Sequence, residues 1–361
     1  MEKRTPIFSP RQLQPALLLL LVLPVLLGLA GCGGTVENSL PEGVGETPAK
    51  GVGEALIEGV EAPASYGQLS LTIGSAPGPV TYPLAIMHEK NPNIVLNPWQ
   101  GGEKLTAMIT SKEVDLCSTP ISNALLTYNK GMDTQLLMVT VWGMLYVMST
   151  ENDIVCMEDL KGKEVIVSGK GGIQDLIFRH LLIKNDLDPN KDLTITYLDM
   201  MEASQRLISG QIKHAVLNEP QASIATLNME KENLELRRVL DLTEEWNKLP
   251  GQEGRGFPMA GIIVVGGSGA SPEQIETFAR GYIQEAAWID THGPEAGVLV
   301  EKHIPTMKAM AVSQSIGYAR LDPRPAQECK EEIISFFKEL TTTADMRAIG
   351  GKLPDDDFFY R

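Results

Sequence analysis

The feature that most constrains this chain is an alternation of short apolar runs with amphipathic stretches, beginning at residue 69 and continuing to 265. Apolar runs at 69–73, 94–96, 114–117, 136–141 and 145–148 read as strands; 83–91, 103–111 and a stretch opening near Ser122 read as helices. The pattern then restarts. Strands are expected at 165–167, 194–198, 215–217, 236–240 and 262–265, with helices at 173–185, at 203–209 and after Pro220. This predicts an α/β fold with mixed, mostly parallel sheets flanked by helices. Ser271-Pro272-Glu273 marks the cap and first turn of a long helix to about His292. Everything beyond reads as helix and loop.

Residues 107–120 and 206–220 share one layout: helix end, polar turn, apolar strand, then a proline that opens a new helix. They fall at the same place in the two series. This predicts two similar lobes, 66–160 plus 252–361 and 161–251, with hinges near 158–162 and 250–256. Ligands of such sheets bind beyond the carboxyl ends of the strands. Between two lobes, both sets of ends face one cleft.

The candidate ligand contacts follow from those ends. In the first lobe they are Ser75, Pro77, Gly78, Gln100, Thr119, Ser122, Asn123 and Trp142. In the second they are Gly171, Gly172, Gln174, Asn218 and Glu219, and Met259 adds apolar packing. Ser122 and Asn123 suit helix capping as well as ligand contact. Trp142 could stack on a flat ligand or pack in a core. Gly171 and Gly172 lie between a strand and a helix start, where unpaired N–H groups and the helix dipole favour an anion. Glu219 could hold an amine or merely complement a helix dipole. No Arg occurs from Gln12 to Phe178, which disfavours a strongly charged dianion.

The formal charge of −15, without a basic block, excludes nucleic acid as a partner. Lys3, Arg4 and Arg11 precede an apolar run at 16–31. That run is short for a membrane span, so 1–31 reads as a secretory signal, with an uncleaved anchor as the alternative. Leu29-Ala30-Gly31-Cys32 resembles the bacterial lipobox, which implies lipidation of Cys32. Residues 32–65, rich in Gly, Pro, Glu and Ala, read as a flexible tether. Cys117, Cys156 and Cys329 are too few and too widely spaced for a disulfide framework, though one bridge has room to form. The five histidines have no metal-ligand spacing. No metal, cofactor or catalytic group is expected.

Several short motifs carry a family resemblance: Trp99-Gln-Gly-Gly102, Val114-Asp115 before Thr119-Pro120-Ile-Ser-Asn123, Asp159-Leu-Lys-Gly-Lys163, Asn218-Glu219-Pro220, Phe257-Pro-Met-Ala-Gly261 and Gly351-Lys-Leu-Pro-Asp-Asp356. In this order, and with the lipobox, the chain resembles substrate-binding lipoproteins of ABC importers. The nearest groups are the nitrate/sulfonate/taurine binders and the thiamine-precursor (NMT1/THI5-like) binders. The resemblance implies a two-lobe, type II periplasmic-binding-protein-like fold. It implies a monomer, extracytoplasmic and lipid-anchored to the bacterial membrane, that delivers a small molecule to a permease with a cytoplasmic ATPase. A zwitterionic, sulfonate-like or heterocyclic-amine ligand is expected. The alternatives are a ligand-binding sensor subunit or an exported enzyme of related fold, in which Cys117 would be the nucleophile candidate.

Overall fold

Strands form where aliphatic runs are cut short by glycine or proline, and helices where apolar residues recur every three to four positions. The computed structural model describes residues 69–254 and 256–361, which fall in one compact unit. The first series comprises β1 (Leu71–Ser75), α1 (Tyr82–Lys90), β2 (Ile94–Pro98), α2 (Gly102–Ser111), β3 (Leu116–Pro120), α3 (Ile121–Asn129), β4 (Thr134–Val141) and β5 (Leu145–Ser149). The second comprises β6 (Glu164–Val167), α4 (Ile173–Lys184), β7 (Thr194–Tyr197), α5 (Met200–Ile208), β8 (His214–Asn218), α6 (Gln221–Lys231), β9 (Arg237–Asp241) and α7 (Leu242–Asn247). The remainder is β10 (Ala260–Val265), α8 (Pro272–Thr291), α9 (Gly293–His303), α10 (Ala309–Ala319), β11 (Leu321–Pro325) and α11 (Lys330–Leu340). The expected alternation is present, with its ends shifted by a few residues.

Two sheets result. The first runs β11-β4-β10-β3-β1-β2, with β1 parallel to β2 and β3, and β10 antiparallel to β3 and β4. The second runs β7-β6-β8-β5-β9, with β6 parallel to β7 and β8, and β5 antiparallel to β8 and β9. The central strands are buried, as Ile73, Leu116 and Ile262 show in the first sheet and Val165 and Val216 in the second. Each such side chain contributes about 1.5–3 kcal/mol. Helix α8 starts as expected: Ser271 Oγ accepts from Gln274 N at 3.2 Å, and Pro272 occupies the first turn.

Three features depart from expectation. Strand β5 belongs to the second sheet, so the chain crosses at 142–144 and not near 158–162. A run buried along its whole length says strand without saying which sheet it will pair with. Strand β11 sits where only helix and loop are expected. Its sequence Leu-Asp-Pro-Arg-Pro hides a strand, because proline cannot donate to a ladder; it is tolerated here on an edge, paired to β4 alone. Helix α7 is short and was masked by its length; Asp241 caps it, accepting from Thr243 N at 2.8 Å.

Both crossings between the sheets pack on Thr243. A Cβ on Gly143 (φ 133°) would lie 2.3 Å from Thr243 Oγ1. One on Gly256 (φ 81°) would lie 2.5 Å from Thr243 Cγ2 and 2.7 Å from the Trp142 carbonyl oxygen. Only glycine suits both the backbone angle and the space.

Cys117, Cys156 and Cys329 are all free thiols, so the room for one bridge is not used. The expected signal, Cys32 and tether lie outside the described residues. Among the described residues, no helix is long and apolar enough to cross a membrane.

Candidate ligand-binding site

Ser118 on β3 organises one wall. Its Oγ accepts from Ala76 N at 2.8 Å, and its carbonyl accepts from Trp99 Nε1 at 3.1 Å. Thr81 Oγ1 closes the loop after β1 by donating to the Ala76 carbonyl. At the end of β3, Ile121 N donates to the Met259 carbonyl at 3.0 Å, drawing the start of β10 alongside. The opposite wall comes from the second sheet. Asn218, the last residue of β8, pairs with Leu145, and Glu219 N donates to the Met144 carbonyl at 3.1 Å. Met144 is held at φ 73°, a left-handed conformation sparsely used by residues with side chains.

Between these walls lies a cavity of about 80 Å³. Residues 76–80, Thr119, Pro120 and 259–260 line it from the first sheet. Met144, Ile173, Gln174 and Asn218 line it from the second. The carboxyl ends of β1 and β3 thus face the end of β8 and the start of α4, the strand-end geometry of ligand sites in open sheets. None of the described lining residues carries a charge. Gln174 Oε1 and Asn218 Oδ1 are buried and have no hydrogen-bond partner. Both residues line the cavity, while these two oxygens have almost no accessible surface of their own.

Of the residues expected to touch ligand, Pro77, Gly78, Thr119, Gln174, Asn218 and Met259 line this cavity. The others do not, each for a physical reason. Ser75 is buried at the end of β1, and Gln100 is exposed outside the wall. Ser122 and Asn123 lie in the first turn of α3, where Pro120 takes the cap position. Trp142 is buried, donates through Nε1 to the Asp322 carbonyl at 2.9 Å, and carries the Arg324 guanidinium over its ring at 3.6 Å. It ties the crossing to β11.

The glycine nest is filled by its own helix. Gly171 N donates to Asp175 Oδ2 and Gly172 N to the Gly169 carbonyl, both at 2.8 Å. Asp175 Oδ1 also accepts from Arg179 Nε at 3.1 Å and from the Tyr197 hydroxyl at 2.9 Å. Glu219 is likewise committed. It is fully buried, and its Oε1 accepts from Arg238 Nε at 3.0 Å and Nη2 at 2.5 Å. Its Oε2 accepts from Ser223 N at 3.2 Å. Arg238 in turn lies 3.7 Å from the centre of the Tyr318 ring. The adjacent Asn218 faces the cavity instead.

The apolar lining by Pro79, Pro120, Met144 and Ile173 was not anticipated. The acidic residue four positions after Gly171 was a legible sign that the nest had a local partner. Cys117, the expected nucleophile candidate, is fully buried on β3. Burial pushes the Cys117 thiol up to about 12, far from a reactive thiolate. Ser149 Oγ lies 3.0 Å from His214 Nδ1, with Glu151 Oε2 3.4 Å from Nε2, but Ser149 is fully buried on β5.

Residues 92–244 match a family model described as NMT1/THI5 like. No curated protein matches the chain. Among solved structures, an ABC transporter protein from Parabacteroides distasonis has a TM-score of 0.68 at 22% identity, over 81% of this chain and 99% of that one. The periplasmic aliphatic sulphonate-binding protein SsuA of Escherichia coli has a TM-score of 0.63 at 16% identity, over 81% of this chain and 92% of that one. The periplasmic nitrate-binding protein NrtA of Synechocystis has a TM-score of 0.56 at 12% identity, over 80% and 85%. The chain therefore has the fold of the periplasmic binding proteins of ABC transporters, and its residues 92–244 are similar to the NMT1/THI5-like family.

Proposed function

We propose that this protein is the extracytoplasmic solute-binding lipoprotein of an ABC importer. It captures a small polar organic molecule and delivers it to a membrane permease that works with a cytoplasmic ATPase. The observation that carries this reading is the cavity between the two sheets, lined from both sides by the ends of strands and the starts of helices. Binding proteins for sulphonate and nitrate among the solved structures of like fold support it.

In this reading the protein is a monomer held at the outer face of the membrane by lipid on Cys32, with 32–65 as its tether. The lobes follow the sheets, so residues 142–144 and 242–259 form the hinge. Ligand contacts both lobes and shifts the population toward a closed form. The two-sided cavity, the glycines at both crossings and the left-handed Met144 are what support a hinge there.

Native mass spectrometry of the full chain purified from its own cells tests the reading. A stoichiometric small molecule, with a melting temperature that falls when it is stripped and recovers when it is returned, is the expected result. Turnover of that molecule by the purified protein would sink the assignment. Replacing Cys32 by Ser should release the protein from the membrane fraction.

A further inference from the structure

We infer that the last turn of α10 is a clasp that holds the two lobes together in the ligand-free protein. This rests on the two-lobe hinge proposed above and concerns the state before any solute binds. By sequence α10 goes with the first lobe, where it packs on α9. Ser315 of α10 and Tyr82, which directly follows the cavity-lining stretch and 3-10 turn at 76–81, share a hydrogen bond of 2.9 Å. The same helix also packs on α6 of the second lobe.

The contacts of its last turn all reach across. Tyr146 Oη, on β5, donates to the Tyr318 carbonyl at 2.7 Å. The Arg238 guanidinium, from β9, lies 3.7 Å from the centre of the Tyr318 ring and 5.5 Å from that of Tyr146. One cation is thus shared by rings from both lobes. Arg320, which ends α10, reaches Asp241 Oδ2 at 2.8 Å and Glu244 Oε1 at 2.5 Å. It also covers the crossing: a Cβ on Gly143 would lie 2.8 Å from Arg320 Cδ, and the Arg320 carbonyl accepts from Trp142 N at 3.1 Å.

An isolated surface ion pair holds little. Here Arg238 is already fixed by the buried Glu219, so seating Tyr318 on it orders little more. Away from this turn the two helices separate. Leu227 of α6 and Met310, Ser313 and Gln314 of α10 border an open groove of about 440 Å³. The hold therefore concentrates at Tyr318 and Arg320. It joins Glu219, next to the cavity residue Asn218, to the helix that bonds Tyr82. The two cavity walls are thereby tied together without a solute, and a ligand has less of the closure left to drive.

The test uses the full chain, dialysed until native mass spectrometry detects no bound solute. Keto amino acids in place of Lys104 and Lys170, both exposed and on opposite lobes, carry dyes for single-molecule energy transfer. The chain with its clasp intact should give one short distance. Tyr318→Ala and Arg320→Glu should each add a longer one, raising the open-to-closed ratio about tenfold. Adding Glu244→Arg to Arg320→Glu should bring the short distance back, which a merely unfolded variant would not do. A ligand-free protein that is already mostly open would overturn the clasp. So would a single short distance in every variant, or a long distance that the charge exchange leaves in place. No step requires a ligand, so these outcomes judge the clasp, while the solute carried from cells judges the solute-binding reading.

Discussion

Thr243 fills the space that a side chain on Gly143 would need, with its Oγ1 only 2.3 Å from where that Cβ would stand. The same threonine blocks Gly256 on the return crossing. Two separate connections between the sheets therefore bear on one β-branched side chain. Gly143→Ala should destabilise the fold by about 2–4 kcal/mol, since it combines a positive φ with a steric overlap. Adding Thr243→Ala should recover part of that loss. Gly256→Ala should recover less from the same second change, because Trp142 main chain also crowds it. Urea unfolding of the two double mutants measures the difference; equal recovery would discount the Trp142 main chain, and no recovery in either would show that Thr243 is not the shared obstacle.

Glu219 and Arg238 form a buried pair, so removing one partner strands the other. Arg238→Leu is expected to cost about 3–5 kcal/mol, and Glu219→Gln somewhat less because the amide still accepts one hydrogen bond. Were Glu219 a ligand contact instead, Glu219→Gln would lower ligand affinity at nearly constant stability. Thermal melts paired with ligand titration separate the two roles.

His180 on α4 is fully buried against Trp246, with Nδ1 2.7 Å from Thr343 Oγ1. Burial pushes its pKa down to about 4, against the pull of Glu339, whose Oε1 lies 3.2 Å from Nε2. The ordinary histidine value is 6.5, so between about pH 6.5 and 4 the unfolded chain takes up a proton that the folded chain refuses. Stability should be full above pH 6.5, fall through that window, and lose about 3 kcal/mol from this residue once the pH is below 4. His180→Phe should flatten that part of a melting-temperature profile against pH. An unchanged slope would place the acid sensitivity elsewhere.

Thiol labelling gives an independent check on burial. Cys156 is partly exposed, whereas Cys117 and Cys329 are buried, with both thiols pushed up to about 12. Peptide mapping after native alkylation should find label on Cys156 and none on the other two until denaturant is added. Ligand binding should survive the labelling.

How far these features were legible depended on whether their cause was local. The strands β1 to β10 were readable because an apolar run and its flanking glycine or proline are neighbours in sequence. Strand β11 was not, since its pairing with β4 outweighs the two prolines within it. The membership of β5 was also out of reach, because Tyr146 and Met148 look the same whichever sheet they join. Among the expected contacts, the placement of Thr119, Gln174 and Asn218 at the cavity followed from strand-end and helix-start positions alone. The commitment of Glu219 was out of reach for a nonlocal reason: its partner Arg238 lies nineteen residues on and two strands over, beyond β5. The partner of Gly171 is local by contrast: Asp175 sits within the next turn.

The two segments 107–120 and 206–220 end their strands on opposite sides of one cavity, at Thr119 and Asn218. Discrimination in such a site resides in the places where the two copies of the layout have diverged. Thr119 is followed by Pro120, which stays at the wall. Asn218 is followed by Glu219, which is withdrawn and locked to Arg238. Under the solute-binding reading, swapping short stretches between the two segments would therefore be expected to alter what is recognised while leaving each sheet's pairing intact, which makes the strand ends a natural unit for changing specificity.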